Sequence, residues 1–316
     1  MRGRASVASV AIIGEINLDF IILGAPRLPN LGEELIVDDM LLTLGSSSAI
    51  AACQLAKLGD EVVYISKLGD DEFGRRALEF LQERTVSTEH VTILPGRSSG
   101  LTVSISVGDE RAMLTQLGTI QEMRWEDVNW DLVRRCQHLH ISSYYLQRNL
   151  QPDIPRIFRQ AKELGLTTSL DTGYPSDEEA AGHPAEAFPY LDVFLPNEVE
   201  ATLLSGRPTP ESALDALSEQ IPLVAVKLGG DGAVARRGSE TVRHSTFAVD
   251  VVDTTGAGDC FNGGFLHAYL AGDSLEDCLD LGLACGAMSI RAPGGATSQA
   301  DLKEAREFIR TAQRRG

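Results

Sequence analysis

The chain is expected to fold as an α/β protein, a three-layer, doubly wound and mostly parallel sheet with a small β-sheet lid. Three observations predict this. Apolar runs without alternation, such as Val7 to Ile13 and Leu223 to Leu228, read as strands buried on both faces. Between His138 and Leu195, strand-like and helix-like runs alternate, the order that produces parallel strands joined by crossover helices. From His90 to Thr115 the pattern changes to strands with no helix between them. There Leu101, Val103, Ile105 and Val107 alternate with Thr102, Ser104 and Ser106, and Gly108-Asp109-Glu110 supplies a turn.

A length of 316 residues is large for one domain, yet α/β folds reach this size undivided. One unit over 1–316 is expected, with lid strands inserted from about 20–43 and 90–118. Acidic residues outnumber basic ones 45 to 28, which argues against a broad nucleic-acid surface and against an anionic membrane. The five cysteines are odd in number and lack CxxC spacing, so a reduced, cytoplasmic protein without structural zinc is expected. Glu15 and Asp19 interrupt the apolar run that follows Arg2 and Arg4, which speaks against a signal peptide, and no stretch is apolar and long enough to cross a bilayer.

The first strand ends at Gly14-Glu15-Ile16-Asn17-Leu18-Asp19. In an extended segment Asn17 and Asp19 share a side, so an amide and a carboxylate can together hold neighbouring hydroxyls; a polar turn with a helix cap reads the same way. Leu35 to Leu42 is a candidate strand outside the main sheet. Leu44-Gly45-Ser46-Ser47-Ser48 opens the helix Ala49 to Leu58, and its hydroxyls suit a sugar or a capped turn equally. The acids Asp70, Asp71 and Glu72 fit the first turn of the next helix better than a metal site. Strands at His138 to Ser142, Thr167 to Asp171 and Asp192 to Leu195 place Ser142, Asp171 and Asn197 at carboxyl ends, where such folds bind ligands. Asn197 and Glu200 lie one helical turn apart, a spacing shared by a magnesium-water site and a capping box. Gly229-Gly230-Asp231-Gly232 serves a hairpin turn, and its bare backbone also suits a phosphate.

The stretch from Val251 to Leu266 is the most informative. Val251-Val252 reads as an apolar strand end that feeds Asp253-Thr254-Thr255-Gly256-Ala257-Gly258-Asp259 and then a helix. Unpaired N–H groups and the positive end of the helix dipole would let Gly256, Ala257 and Gly258 hold the oxygens of an anion. A carboxylate at Asp259 beside that anion makes sense as a base for a hydroxyl attacking phosphorus. A dinucleotide fold is excluded by spacing, since no glycine follows three residues after Gly258.

With Asn262-Gly263 added, this stretch resembles the C-terminal signature of the ribokinase-like (PfkB) carbohydrate kinase family. Asn17 and Asp19, Pro29 with Gly32-Glu33, Leu58-Gly59 before Gly69 to Gly74, Asn197 with Glu200, and Lys227-Leu228-Gly229 with Gly232 match in the expected order over nearly the whole chain. The resemblance implies ATP-dependent transfer of the γ-phosphoryl group to a hydroxymethyl group of a small sugar. It casts Asp259 as the base, with Gly256, Ala257 and Gly258 forming the anion hole. Asn17, Asp19, Gly45, Ser46 and Ser47 would bind the sugar, and Lys227, Gly229 and Gly232 would border the nucleotide. Magnesium would sit near Asn197 and Glu200 through water, and Asp253 with Thr255 would help form a monovalent-cation loop for potassium. A homodimer joined through the lid is also implied.

The chain departs from the family pattern at two places: Ser46 follows Gly45 where a second glycine is usual, and Ile50 stands where an asparagine binds sugar. Members acting on acidic keto sugars often carry an arginine soon after the aspartate that is Asp171 here. Thr172-Gly173-Tyr174-Pro175 offers none, which favours a neutral substrate. Two alternatives remain, a nucleoside kinase in which Tyr144, Tyr145 or the lid stacks a base, and a non-catalytic sugar- or nucleotide-binding relative.

Overall fold

A computed structural model describes residues 7–107, 110–173 and 183–316; the expected turn at Gly108-Asp109 and the Tyr174-Pro175 segment lie outside the described residues. The main sheet comprises β1 (Ser9–Ile13), β4 (Glu61–Gly69), β5 (Val91–Leu94), β8 (His138–Ile141), β9 (Thr167–Leu170), β10 (Val193–Phe194), β11 (Leu223–Lys227), β12 (Ala233–Arg237) and β13 (Glu240–His244). Its order is β13-β12-β11-β10-β9-β8-β1-β4-β5, with every neighbour from β11 to β5 parallel and the last two strands antiparallel.

Successive residues of β1 enter opposite layers. Val10 and Ile12 pack with residues of α1 (Ser47–Leu58), α7 (Ala257–Ala271) and α8 (Leu275–Ser289), while Ala11 and Ile13 pack with α4 (Ile154–Glu163) and α6 (Pro210–Ser218). Burial on both faces is why these strands show no polar alternation. From β1 the chain moves through β4 to β5, then returns through β8 to the other side of β1. The crevice beyond the carboxyl ends of β1 and β8 is therefore the topological switch point, where open α/β sheets bind ligands.

A smaller sheet, ordered β3-β2-β6-β7, is formed by β2 (Asn17–Leu23), β3 (Asp39–Leu44), β6 (Gly100–Val107) and β7 (Glu110–Gln116). Its register sets Asp19 beside Thr43 and Thr102 on one face, and Phe20 beside Leu42 and Val103 on the other.

The structure corrects two expectations. The stretch from 90 begins with β5, which pairs in parallel with Ser66 to Gly69 at the edge of the main sheet instead of joining the smaller one; four residues carry too little pattern to choose a sheet. Nor is Val251-Val252 a strand. Both side chains are about half exposed in irregular backbone, and the segment is tied to Ile290 O by the amides of Val252 and Asp253.

Small residues draw α7 against its neighbours. A methyl group on Gly263 would lie 2.7 Å from Gln54 Cβ on α1, and one on Gly264 would lie 2.7 Å from Leu281 O on α8. Close approach at Gly263 and contact between Ile50 and Gly256 bring the N-termini of α1 and α7 together.

Candidate active site

Gly256 caps α7 with φ 74°, a left-handed conformation that side chains resist. A methyl group there would also lie 2.5 Å from Gly295 Cα and 3.0 Å from Ile50 Cδ1. Glycine is thus required twice over, and the amides that follow open into a cavity of about 350 Å3. Its walls include Lys227, Gly229, Gly230, Gly232, Ala257 and Gly258 together with the apolar Val249, Val251, Phe261, Leu283 and Ile290. A cavity lined both by backbone amides at a helix N-terminus and by apolar side chains suits a nucleoside phosphate. Val251 is apolar because it faces this cavity, which explains its strand-like appearance in the sequence.

Asp259 stands half-buried in the first turn of α7. Burial, and then the nearby Asp171 carboxylate, push its pKa up to about 7, against the pull of Lys227 and a hydrogen bond from Ser47. Asp171, at the end of β9, accepts Lys227 Nζ at 2.6 Å and Asn262 Nδ2 at 2.5 Å. Those partners outweigh the effect of burial and hold its carboxyl below the ordinary range. Lys227 also reaches Asn262 Oδ1 at 3.2 Å, and a methyl group on Gly258 would lie 3.5 Å from its ammonium. The cation therefore adjoins the first turn of α7.

Asn197 caps α5 (Glu198–Ser205), and the capping box is complete. Glu200 N donates to Asn197 Oδ1 at 2.8 Å, and the Asn197 backbone amide and Nδ2 donate to Glu200 at 2.9 and 2.7 Å. Glu200 is buried, and burial followed by Asp171 raises its pKa to about 7. Three carboxyls, Asp171, Glu200 and Asp259, thus surround one lysine. A divalent cation carried on a nucleotide would relieve that excess, so the residues present fit magnesium held through water.

At the start of β2, Asn17 Nδ2 donates to Asp19 Oδ1 at 2.9 Å. Gly45 passes directly beneath this pair: a methyl group there would lie 2.2 Å from Asp19 Oδ1 and 2.7 Å from Asn17 Nδ2. Ser46 caps α1 and spends its hydroxyl on Glu15, on Glu15 O at 2.6 Å and Oε1 at 2.9 Å, while accepting from Ala49 N. Ser48 Oγ donates to Glu15 Oε2 at 2.7 Å. Of the serines in this loop, Ser47 is the one beside Asp259. Ile50 is buried against Gly256 and Gly295, beneath the anion loop. Asp253 ties two loops, accepting Thr255 N and Oγ1 at 3.0 and 2.7 Å and Gly294 N at 2.8 Å.

Three features escaped the sequence reading. Glu15 holds the α1 loop from a distance of some thirty residues in the chain, with no local signal to reveal it. The pairing of Asp171 with Lys227 and Asn262 was equally hidden, although the position of each at a strand end or first helical turn was a partial clue. The third is Arg315, which lines the cavity from the far end of the chain.

The fold and the site define a phosphotransferase acting on an alcohol group. Residues 7–302 match the pfkB family of carbohydrate kinases, and the chain belongs to that family. It is 33% identical over 228 residues to a protein of Archaeoglobus fulgidus described as an uncharacterized sugar kinase, covering 72% of this chain and 90% of that one. The structure of Arabidopsis thaliana ribokinase complexed with ribose and ATP superposes with a TM-score of 0.81 at 25% identity, covering 96% of this chain and 99% of that one. Adenosine kinase from Sinorhizobium meliloti is similar at a TM-score of 0.80 and 28% identity, over 96% and 99% of the two chains.

Proposed function

We propose that this carbohydrate kinase transfers the γ-phosphoryl group of ATP to a hydroxymethyl group of a small neutral sugar, with Asp259 as the base. The observation that supports this reading is the set of unlike groups around Asp259. Asp259 follows the Gly256 to Gly258 turn, feels Lys227, and accepts a hydrogen bond from Ser47, in the loop whose Gly45 packs against the Asn17–Asp19 pair. Asn17 and Asp19 orient the sugar, and the Asp259 carboxylate takes the proton of the attacking hydroxyl. As the oxygen–phosphorus bond forms and the bond to the ADP leaving group breaks, the amides at the start of α7 and the Lys227 ammonium stabilise the phosphoryl oxygens. The transition state is loose, so orientation and charge compensation matter more than base strength. Magnesium, when bound, supplies positive charge shared among the phosphate oxygens, and Asn197 with Glu200 would hold its water shell. Asp253 and Thr255, by family analogy, border a potassium-binding loop.

Neutrality of the sugar is supported by the acceptor side, where Asn17, Asp19, Gly45, Ser47 and Thr102 include no cation, and by the absence of lysine or arginine from 172–179. A nucleoside acceptor is less well served. Tyr144 and Tyr145 are buried and packed edge to face on each other at 5.3 Å, so neither ring is presented to a base. The outer face of the smaller sheet carries Met40 and Leu114, both more than half exposed, beside Phe20 and Val103, and this face would join two copies of the chain.

A screen of ADP release over neutral pentoses, hexoses and nucleosides, with magnesium and with or without potassium, tests the reading. Turnover with a free sugar supports it, and turnover with nucleosides alone overturns the substrate class.

A further inference from the structure

The cavity beside α7 has to accept a polyanion in a chain of net charge −17. Two of its lining residues are basic, Lys227 and Arg315. The charge of Lys227 is already engaged by Asp171 at 2.6 Å, with Glu200 and Asp259 close by. Arg315 is exposed and, among the described residues, has no carboxylate partner. Its guanidinium borders the glycine turn after β11, where a methyl group on Gly230 would lie 3.0 Å from Arg315 Nη1.

The chain fixes this arginine in place after α9 (Leu302–Thr311) ends. Ala248 N donates to Gln313 O and Arg315 N donates to Thr246 O, both at 2.8 Å, and Phe247 pairs with Arg314 in an antiparallel bridge. In such an extended strap successive side chains point to opposite sides. Arg314 takes the anchoring side: it ion-pairs with Asp280, donates to Ser245 O at 2.6 Å and covers the Phe247 ring at 4.5 Å. His244 shares Asp280, at 2.5 Å, and so secures the strand end from which the pocket wall departs. Arg315 takes the other side and lines the cavity.

We propose that Arg315 is a nucleotide-binding residue whose guanidinium pairs with the phosphate chain of the bound nucleotide, and that the strap Gln313–Arg315 serves to place it. This rests on the reading of the cavity as the nucleotide site. A planar guanidinium suits phosphate, and here it supplies positive charge that Lys227, held by Asp171, cannot supply alone.

Calorimetric titration of the full chain with ADP and with adenosine tests the assignment, because the two ligands share the base and ribose and differ in the phosphates. Arg315→Ala should weaken ADP about tenfold, the scale of a charge-assisted hydrogen bond at a partly exposed site. Adenosine binding should stay within twofold, and Arg315→Lys should recover most of the ADP affinity. Unchanged ADP binding in Arg315→Ala overturns the proposal, and so does an equal loss for ADP and adenosine, which would mean that the side chain only walls the cavity. A wild-type chain that binds neither ligand would instead overturn the nucleotide reading of the cavity, and this inference with it.

Discussion

Lys227 Nζ lies 2.6 Å from Asp171 Oδ2, and that same oxygen accepts the Asn262 amide at 2.5 Å. The pair joins the ends of β9 and β11 to the first turns of α7 at the floor of the cleft. Removing one partner strands a buried charge, so Lys227→Met should destabilise the fold by about 3–5 kcal/mol. The double variant Asp171→Asn/Lys227→Met should recover part of that loss in chemical denaturation. Because partners hold the Asp171 carboxyl below its ordinary value of 3.8, its contribution is present above that pH. It disappears as the pH falls through the lower, folded-state value. A double variant whose loss equals the sum of the losses of Asp171→Asn and Lys227→Met measured singly would show that the pair carries no coupling.

Asp259→Asn should lower turnover by ~10² or more, the scale of general base catalysis, with ATP binding nearly intact. Since burial and then Asp171 raise the Asp259 pKa to about 7, the base is fully ionised only above neutrality. The kcat/KM of the wild type should rise with pH through about 7 and level off, and the residual rate of the variant should keep only the shallower limb due to Glu200, whose pKa is raised to about 7 as well. A carboxyl raised in the folded state also binds its proton more tightly there than in the unfolded chain. Asp259 therefore detracts from stability as pH rises from the ordinary carboxylate range to about 7, and Asp259→Asn should melt higher than wild type at pH 8. Unchanged turnover would remove Asp259 from its role.

Gly45→Ala drives a methyl group into the Asn17–Asp19 pair, 2.2 Å from Asp19 Oδ1. The carboxylate or the loop must shift, and the loop is also held by Gly45 N donating to Asn17 O at 3.0 Å. Steady-state kinetics should show the KM for the sugar raised at least tenfold and the KM for ATP little changed. A rise in both together would place the damage in the α7 loop instead.

The turn and helix start from Gly256 to Asp259 were legible because one short run contains both. The central strands were legible because burial on both faces leaves an unbroken apolar run. Other features depend on residues far apart in the chain. Ser46 looks available for a sugar until Glu15 is seen beneath it, and Ile50 looks like a lost ligand until it is found packed against Gly256 and Gly295. Val251 misled for a physical reason, since a side chain facing an apolar cavity has the same composition as one facing a core.

The smaller sheet makes a prediction about assembly. Leu114 and Met40 project from its outer face, 71% and 52% exposed, Leu114 in register with Val103 and Phe20, and Met40 with Ile22 on the same face. A second copy would cover this apolar surface, and sedimentation should show a dimer that Leu114→Glu shifts toward monomer. A monomer at all working concentrations would contradict the arrangement.

Glu15 links three segments at the switch point. Its carboxylate accepts from Ser46 and Ser48 of the α1 loop and from Ser143 after β8, while its carbonyl accepts from Tyr64. Ser46 and Ser143 have φ of 73° and 52°, left-handed conformations that cost about 1–3 kcal/mol each and persist only where the surroundings enforce them. The buried carboxylate is part of that enforcement. Burial raises its own pKa, and four hydrogen bonds, the first from Ser48, oppose the rise. Glu15→Ala leaves buried hydroxyls without their acceptor, at about 1–3 kcal/mol for each group left unpaired, and lets both loops relax. Ser47 lies between the two serines that Glu15 holds, so relaxation should move it from Asp259. The expected result is a lower melting temperature together with a raised KM for the sugar, with Glu15→Gln intermediate because its amide retains one acceptor oxygen. A variant that melts lower but keeps the wild-type sugar KM would confine Glu15 to holding the fold, with no hold on the sugar loop.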